Sequence, residues 1–270
     1  MRARRFGDLV TVALFTILLG STVRADDGLI GERPNAGGPP EEIRVMVAIL
    51  DIDGVNDRDQ QFNVDAFYEI SWLDPRLAND DDESRGSTRT FGLDEIWTPG
   101  LTIINNRGMS PLLPQVASVE PDGRVTIRQR SAGALAVKLD LHRFPFDTQR
   151  LTMQIVSYRY DPSQLVYSSD SRLITNPETF SAAGWHFEPQ DPEFAIYRLT
   201  EDGVGSSALT FGLLAERDSG FFILTLALPM ALILSLAWMV HGLQPDIIPA
   251  RIGMSTATVF SLMAVKPRIS

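Results

Sequence analysis

Phe62-Asn63-Val64-Asp65-Ala66-Phe67-Tyr68-Glu69-Ile70-Ser71-Trp72 places an apolar side chain at every second position. A period of two sends alternate side chains to opposite faces of an extended chain, so the stretch reads as a strand with one buried face. Working outward, Ile43, Val45, Val47 and Ile49 alternate in the same way. Residues 51–61 interrupt the pattern with Gly54, Asn56 and several charges, and read as the turn of a hairpin. Residues 116–119 and 125–129 flank Pro121-Asp122-Gly123 as a second hairpin. Residues 133–141, 150–157, 194–199 and 207–215 are further strands. Many short strands, with no long amphipathic helix between them, predict a mainly β fold: an immunoglobulin-like β-sandwich of about ten strands over residues 43–218.

The ends differ from the middle. Arg2, Arg4 and Arg5 precede a short apolar run from residue 10 to 19, and Val23-Arg24-Ala25 resembles a cleavage site. Residues 1–25 therefore read as a signal peptide; the rival, a membrane anchor, needs a longer run to cross about 30 Å of hydrocarbon. Residues 26–42, rich in Gly, Pro and acids, read as a flexible arm. Residues 221–241 are uncharged and apolar on every side, with Pro229 inside. A membrane helix fits them better than a buried core helix. Residues 247–265 are less apolar, with Ser255, Thr256, Thr258 and Ser261 spread through them, as suits a second helix facing water or neighbouring helices. The membrane region is thus 219–270.

The 270 residues carry a net charge of −10, and removing the leader makes the balance more acidic still. Such a chain is a poor partner for nucleic acid, which needs clustered Lys and Arg. Cysteine is absent, which removes thiolate chemistry, and His142, His186 and His241 show no metal-ligand spacing. Asp80-Asp81-Asp82-Glu83 reads as a solvated loop, with a cation site as the alternative. No Gly-x-Ser-x-Gly elbow appears. Neither an enzyme, a cofactor nor a bound metal is expected.

Leu141-His142-Arg143-Phe144-Pro145-Phe146-Asp147-Thr148-Gln149 resembles the signature loop of the pentameric ligand-gated ion channels, the Cys-loop receptors. The two flanking cysteines of animal members fall on Val137 and Leu151, as in the bacterial branch that lacks the loop disulfide. Trp72-Leu73-Asp74-Pro75-Arg76-Leu77, Ile96-Trp97-Thr98-Pro99 with Asn105-Asn106, Gly184-Trp185, and Arg217 before Phe221-Phe222 resemble other family motifs in the family's order.

The resemblance implies a homopentamer in a bacterial inner membrane, its sandwich facing the periplasm or exterior and its helices in the lipid bilayer. It implies a gating relay of Asp57, Arg58, Phe144, Pro145, Phe146, Asp147 and Arg217, against the bland reading of a plain turn with solvated acids. It implies a ligand site between copies at Phe67, Ile104, Tyr158 and Tyr197. Three aromatics there can hold an ammonium group, or simply pack the sandwich; Ile104 and Ser206 break the aromatic box, and protons acting on carboxylates are the other ligand. Arg251, Gly253, Ala257 and Phe260 are implied to line the pore. Pro249-Ala250-Arg251 without a nearby Glu leans towards anions such as chloride. Family members have four membrane helices and two are found here. The alternative function is therefore a non-conducting, membrane-tethered sensor.

Overall fold

The computed structural model describes residues 32–79, 87–198, 201, 203–242 and 248–264. The expected leader, residues 26–31 of the expected arm, and the acidic run 80–83 lie outside the described residues. Within them, thirteen strands form two sheets.

The larger sheet has eight strands. β1 (Glu41–Asn56) and β2 (Gln61–Leu73) are its centre, paired antiparallel. β7 (Arg124–Ala136) pairs with β2, and β6 (Val116–Val119) and β3 (Arg89–Gly92) continue that side. β5 (Ser110–Pro111) also pairs with β7, while β9 (Leu165–Tyr167) and β10 (Arg172–Thr175) lie parallel to β1. The smaller sheet has five strands. β13 (Ser206–Arg217) pairs with β8 (Thr148–Ser157), which pairs with β4 (Leu101–Ile103). The other edge of β13 is shared by β12 (Glu193–Tyr197) and β11 (Trp185–Pro189). The mainly β, sandwich-like expectation is met.

Side chains from the two sheets meet in one core. Val45, Val47, Val64, Ala66 and Trp72 come from the large sheet, and Leu151, Met153, Leu209 and Phe211 from the small one. Trp72 meets Trp97 edge-on at 5.7 Å and 84°, the arrangement that ring quadrupoles favour. Val137 and Leu151 are both buried in this core. Apolar burial there stabilises without a crosslink, at about 25 cal/mol per Å² of apolar surface removed from water.

The structure differs from the sequence reading in four places. First, β1 does not stop near residue 50. It runs to Asn56, with register shifts between Ile49 and Asp51 and between Ile52 and Gly54. Each shift slips the alternation, so Ile52 and Val55 are buried in a stretch that looks like a turn. The real turn is only residues 57–60. Second, the end of the expected arm is packed: Glu41 is buried in β1 and accepts from the Asn35 N–H and from Asn35 Nδ2. Third, residues 125–129 and 133–136 belong to one strand, β7. Gly133 sits within it at φ +142°, and a Cβ there would collide with the Gly108 carbonyl.

Fourth, the helical part is divided. α1 (Ser219–Phe222) leads into a π-helical turn (Ile223–Ala227) and then α2 (Leu228–Gly242). Pro229 lacks the N–H that would continue an i→i−4 ladder, and the wider turn lies just before it. α3 (Ile248–Ala264) packs against α2. Its hydroxyls bond inside the helix, Thr256 Oγ1 to the Ile252 carbonyl and Thr258 Oγ1 to that of Met254, both at 2.8 Å. Among the described residues, no helix is long and apolar enough to cross a membrane.

Candidate functional site: the Arg217 junction

Three chain segments meet below the sandwich. The first is the 57–60 turn. Asn56 Oδ1 accepts from the N–H groups of Arg58 and Asp59, and Gln60 Nε2 donates to the Asp57 carbonyl. These short-range bonds hold Asp57 in one place. The second is the loop between β7 and β8. Gln149 closes it: its Oε1 accepts from the Asp140 N–H, and its Nε2 donates to the Asp140 carbonyl and to Asp147 Oδ2. Backbone turns from Phe144 to Leu141 and from Phe146 to Arg143 complete it, with Phe144-Pro145 in the cis form. The third is the end of β13, where Arg217 is the last strand residue before α1.

Arg217 joins all three. Its Nε donates to Asp147 Oδ1 at 2.8 Å. Its Nη2 reaches Asp57 Oδ1 at 2.9 Å and Oδ2 at 3.0 Å, and Asp147 Oδ2 at 3.3 Å. The side chains of Asp147, Arg217 and Asp57 are 2%, 12% and 13% exposed. The guanidinium also lies over two rings, Trp185 at 4.1 Å and Phe144 at 4.8 Å. Trp185 stands directly opposite Arg217 in the β11–β13 register. Stacking of this kind on a partly desolvated cation is worth up to about 2 kcal/mol.

Burial works against the charge of Asp147, yet hydrogen bonds from Arg217 and Gln149, with the Arg217 charge, hold its carboxyl below the usual aspartate range. Burial likewise opposes the Arg217 charge, and the bonds to Asp147 and Asp57 outweigh it, raising its pKa. Two carboxylates share one guanidinium, so the cluster as bonded carries one excess negative charge. What it does is couple three segments, so that displacing one disturbs charge-assisted bonds to the other two.

Of the residues expected in this relay, Asp57, Asp147, Arg217 and Phe144 are brought together. Phe146 stands 66% exposed at the loop tip, beside Pro145. Arg58 is exposed in the turn, its N–H bonded to Asn56. Sequence reasoning assigned no role here to Trp185 or Gln149. The strand pairing that sets Trp185 opposite Arg217 is non-local, and the only local signal was the Gly184-Trp185 turn.

The expected ligand residues are divided. Ile104 follows β4, Tyr158 follows β8 and Tyr197 ends β12, all on the small sheet. Phe67 lies on β2 of the large sheet, paired with Ala48 and Arg130. Tyr158 is 65% exposed, with the Arg159 guanidinium 5.8 Å from its ring. On α3, Gly253, Ala257 and Phe260 are exposed while Thr258 is buried. Arg251 falls within α3, but its side chain is outside what is described.

The family model described as the neurotransmitter-gated ion-channel ligand binding domain matches residues 30–189. The chain belongs to that family, within the pentameric ligand-gated channel superfamily. It is similar to gamma-aminobutyric acid receptor subunit beta-4 of Gallus gallus, 26% identical over 251 residues, covering 88% of this chain and 49% of the relative. The chain thus spans about half the length of that curated relative.

Proposed function

We propose that the chain is a subunit of a homopentameric channel in a bacterial inner membrane, opened by a ligand bound on its outer domain. The observation that carries this reading is the Arg217 junction. The arginine at the entry to the helices is held by a carboxylate from each of two loops of the sandwich. Movement of either sheet thereby reaches the start of α1. In this reading Asp57, Asp147 and Arg217 are the relay, Trp185 and Phe144 position the guanidinium, and Phe146 and Pro145 form the tip that touches the membrane domain.

The helical run through α1, the π turn and α2 is read as the first membrane segment and α3 as the pore lining, with Arg251, Gly253, Ala257 and Phe260 towards the ion path. The ligand sits between copies. Phe67 of one copy faces Tyr158, Ile104 and Tyr197 of the next, which is why a single chain leaves them on different sheets. A small ammonium compound suits these aromatics, and the name of the chicken relative makes gamma-aminobutyric acid the first compound to try. Protons are the second ligand class, and chloride is the expected permeant ion.

The test is planar-bilayer recording of the purified chain across gamma-aminobutyric acid, other small amines and a pH series, under a chloride gradient. Ligand-dependent current reversing near the chloride potential is the expected result. Silence under every condition, with ligand binding intact, defeats the channel reading in favour of a tethered sensor.

A further inference from the structure

β1 leads into the Asp57 turn at one end and begins at Glu41 at the other. Beside that beginning, two turns stand apart and enclose a cavity of about 570 Å³, a size that takes a small molecule. Glu32 and Arg33 line it from the arm turn, and Tyr160, Ser163 and Gln164 from the turn before β9. Glu41 ties the two walls together. Its carboxylate accepts from Asn35, and its N–H donates to the Gln164 carbonyl at 2.8 Å.

Each wall is also held from within. Arg33 Nη1 donates to the Pro39 carbonyl at 2.7 Å, and Nη2 to that of Gly38 at 3.0 Å. The Glu32 carbonyl accepts from Arg76 Nη1 at 3.1 Å. On the other side, Ser163 Oγ donates to Asp161 Oδ1. Tyr160 Oη accepts from Trp97 Nε1 at 2.7 Å, and Trp97 is buried, so the Tyr160 ring is a fixed surface. Walls set before binding need little ordering when a ligand arrives.

What these bonds leave over decides the ligand. The Glu32 carboxylate and Gln164 Nε2 make no hydrogen bond among the described residues, and Arg33 has N–H groups beyond the two in use. Acceptors and donors thus stand side by side, with one charge of each sign. An ion of either sign would meet its like as well as its opposite. A hydroxyl both donates and accepts, so a neutral molecule with several hydroxyls answers the whole set, its C–H face against the Tyr160 ring.

We infer that this cavity is a binding site for a neutral polyhydroxylated molecule, a sugar ring in particular. None of Phe67, Ile104, Tyr158 and Tyr197 lines it, and the inference stands whether or not the chain gates a pore.

The test is saturation-transfer-difference NMR on the full chain, in a detergent without a sugar headgroup, with methyl α-D-glucopyranoside as the probe. Saturable binding is expected, at least about tenfold tighter than that of tetrahydropyran-2-methanol, which keeps the ring but lacks the ring hydroxyls. Glu32→Ala should weaken the sugar by at least about tenfold, through loss of a charge-assisted bond, and Gln164→Ala by about fivefold. Ala36→Trp, on the exposed lining of the arm turn, should fill the space and abolish binding, and Phe67→Ala should leave it unchanged. Circular dichroism checks that each variant is folded; should Gln164→Ala or Ala36→Trp not fold, Glu32→Ala, at an exposed position, and the tetrahydropyran comparison decide. Absence of saturable binding, equal binding of the analogue, insensitivity to Glu32→Ala or to Gln164→Ala, binding retained in Ala36→Trp, or loss in Phe67→Ala would each overturn the assignment.

Discussion

Arg217 and Asp147 are joined through side chain and backbone: Nε and Nη2 donate to the Asp147 carboxylate at 2.8 and 3.3 Å, and the Arg217 backbone N–H donates to the Asp147 carbonyl at 3.1 Å. The end of β13 and the start of β8 are thereby fixed to each other by backbone as well as by charge. Substituting the side chain removes the charged link and leaves the backbone one.

Asp147→Asn should therefore destabilise without unfolding. A hydrogen bond to a charged group contributes about 1.5–3 kcal/mol, and thermal melting of the purified chain should fall by a matching amount. In recordings, the variant should still bind ligand while opening less. An unchanged dose response would remove Asp147 from the relay.

Arg217→Ala is expected to cost more, about 3–5 kcal/mol, because it leaves two carboxylates close together with no cation. Chemical denaturation reads this directly. A loss no larger than that of Asp147→Asn would mean that Asp57 does not depend on Arg217.

The pH dependence follows from the depressed Asp147 carboxyl. The unfolded chain, with an aspartate near pKa 3.9, takes up its proton first as pH falls. The stability from this group is thus complete above about pH 4 and is lost as pH drops through the lower folded value. Melting temperature against pH should show a steeper acid limb in the wild type than in Asp147→Asn. Parallel curves would sink the prediction.

Trp185→Leu should keep the apolar bulk but lose the stacking on Arg217, at about 1 kcal/mol of stability. Trp185→Phe should restore part of it. Equal melting for both variants would show that the ring face contributes nothing.

Gly133→Ala is predicted to be severe although it adds one methyl group. The position has φ +142°, and the new Cβ meets backbone atoms of Gly108 and Met109 that cannot swing aside. A loss above about 2 kcal/mol is expected in chemical denaturation.

Several strands were legible in the sequence as short apolar stretches between turn signals. β2, β6 and β13 fall where apolar periodicity puts them, and Pro121-Asp122-Gly123 marks a real turn. The second half of β1 was not, because two bulges shift its parity and leave charges where an ideal strand would show apolar residues. The carboxylates and the arginine of the junction were found through a resemblance of motifs. Their neighbours Trp185 and Gln149 were not, because register across sheets and loop closure are absent from any short stretch of sequence. The cavity beside the arm turn was equally invisible, since it is a shape and not a pattern.

β1 runs unbroken through 16 residues, about 50 Å at the usual rise. One end, at Glu41, is anchored by Asn35, and the other leads directly into the turn that carries Asp57. It is a strut: its two ends are linked by covalent backbone and by a pairing with β2 that two bulges interrupt, with no side-chain relay between. On the proposed reading, displacement of the Glu41 end has a direct backbone route to Asp57, and the two bulges are the points along it where the strand can bend.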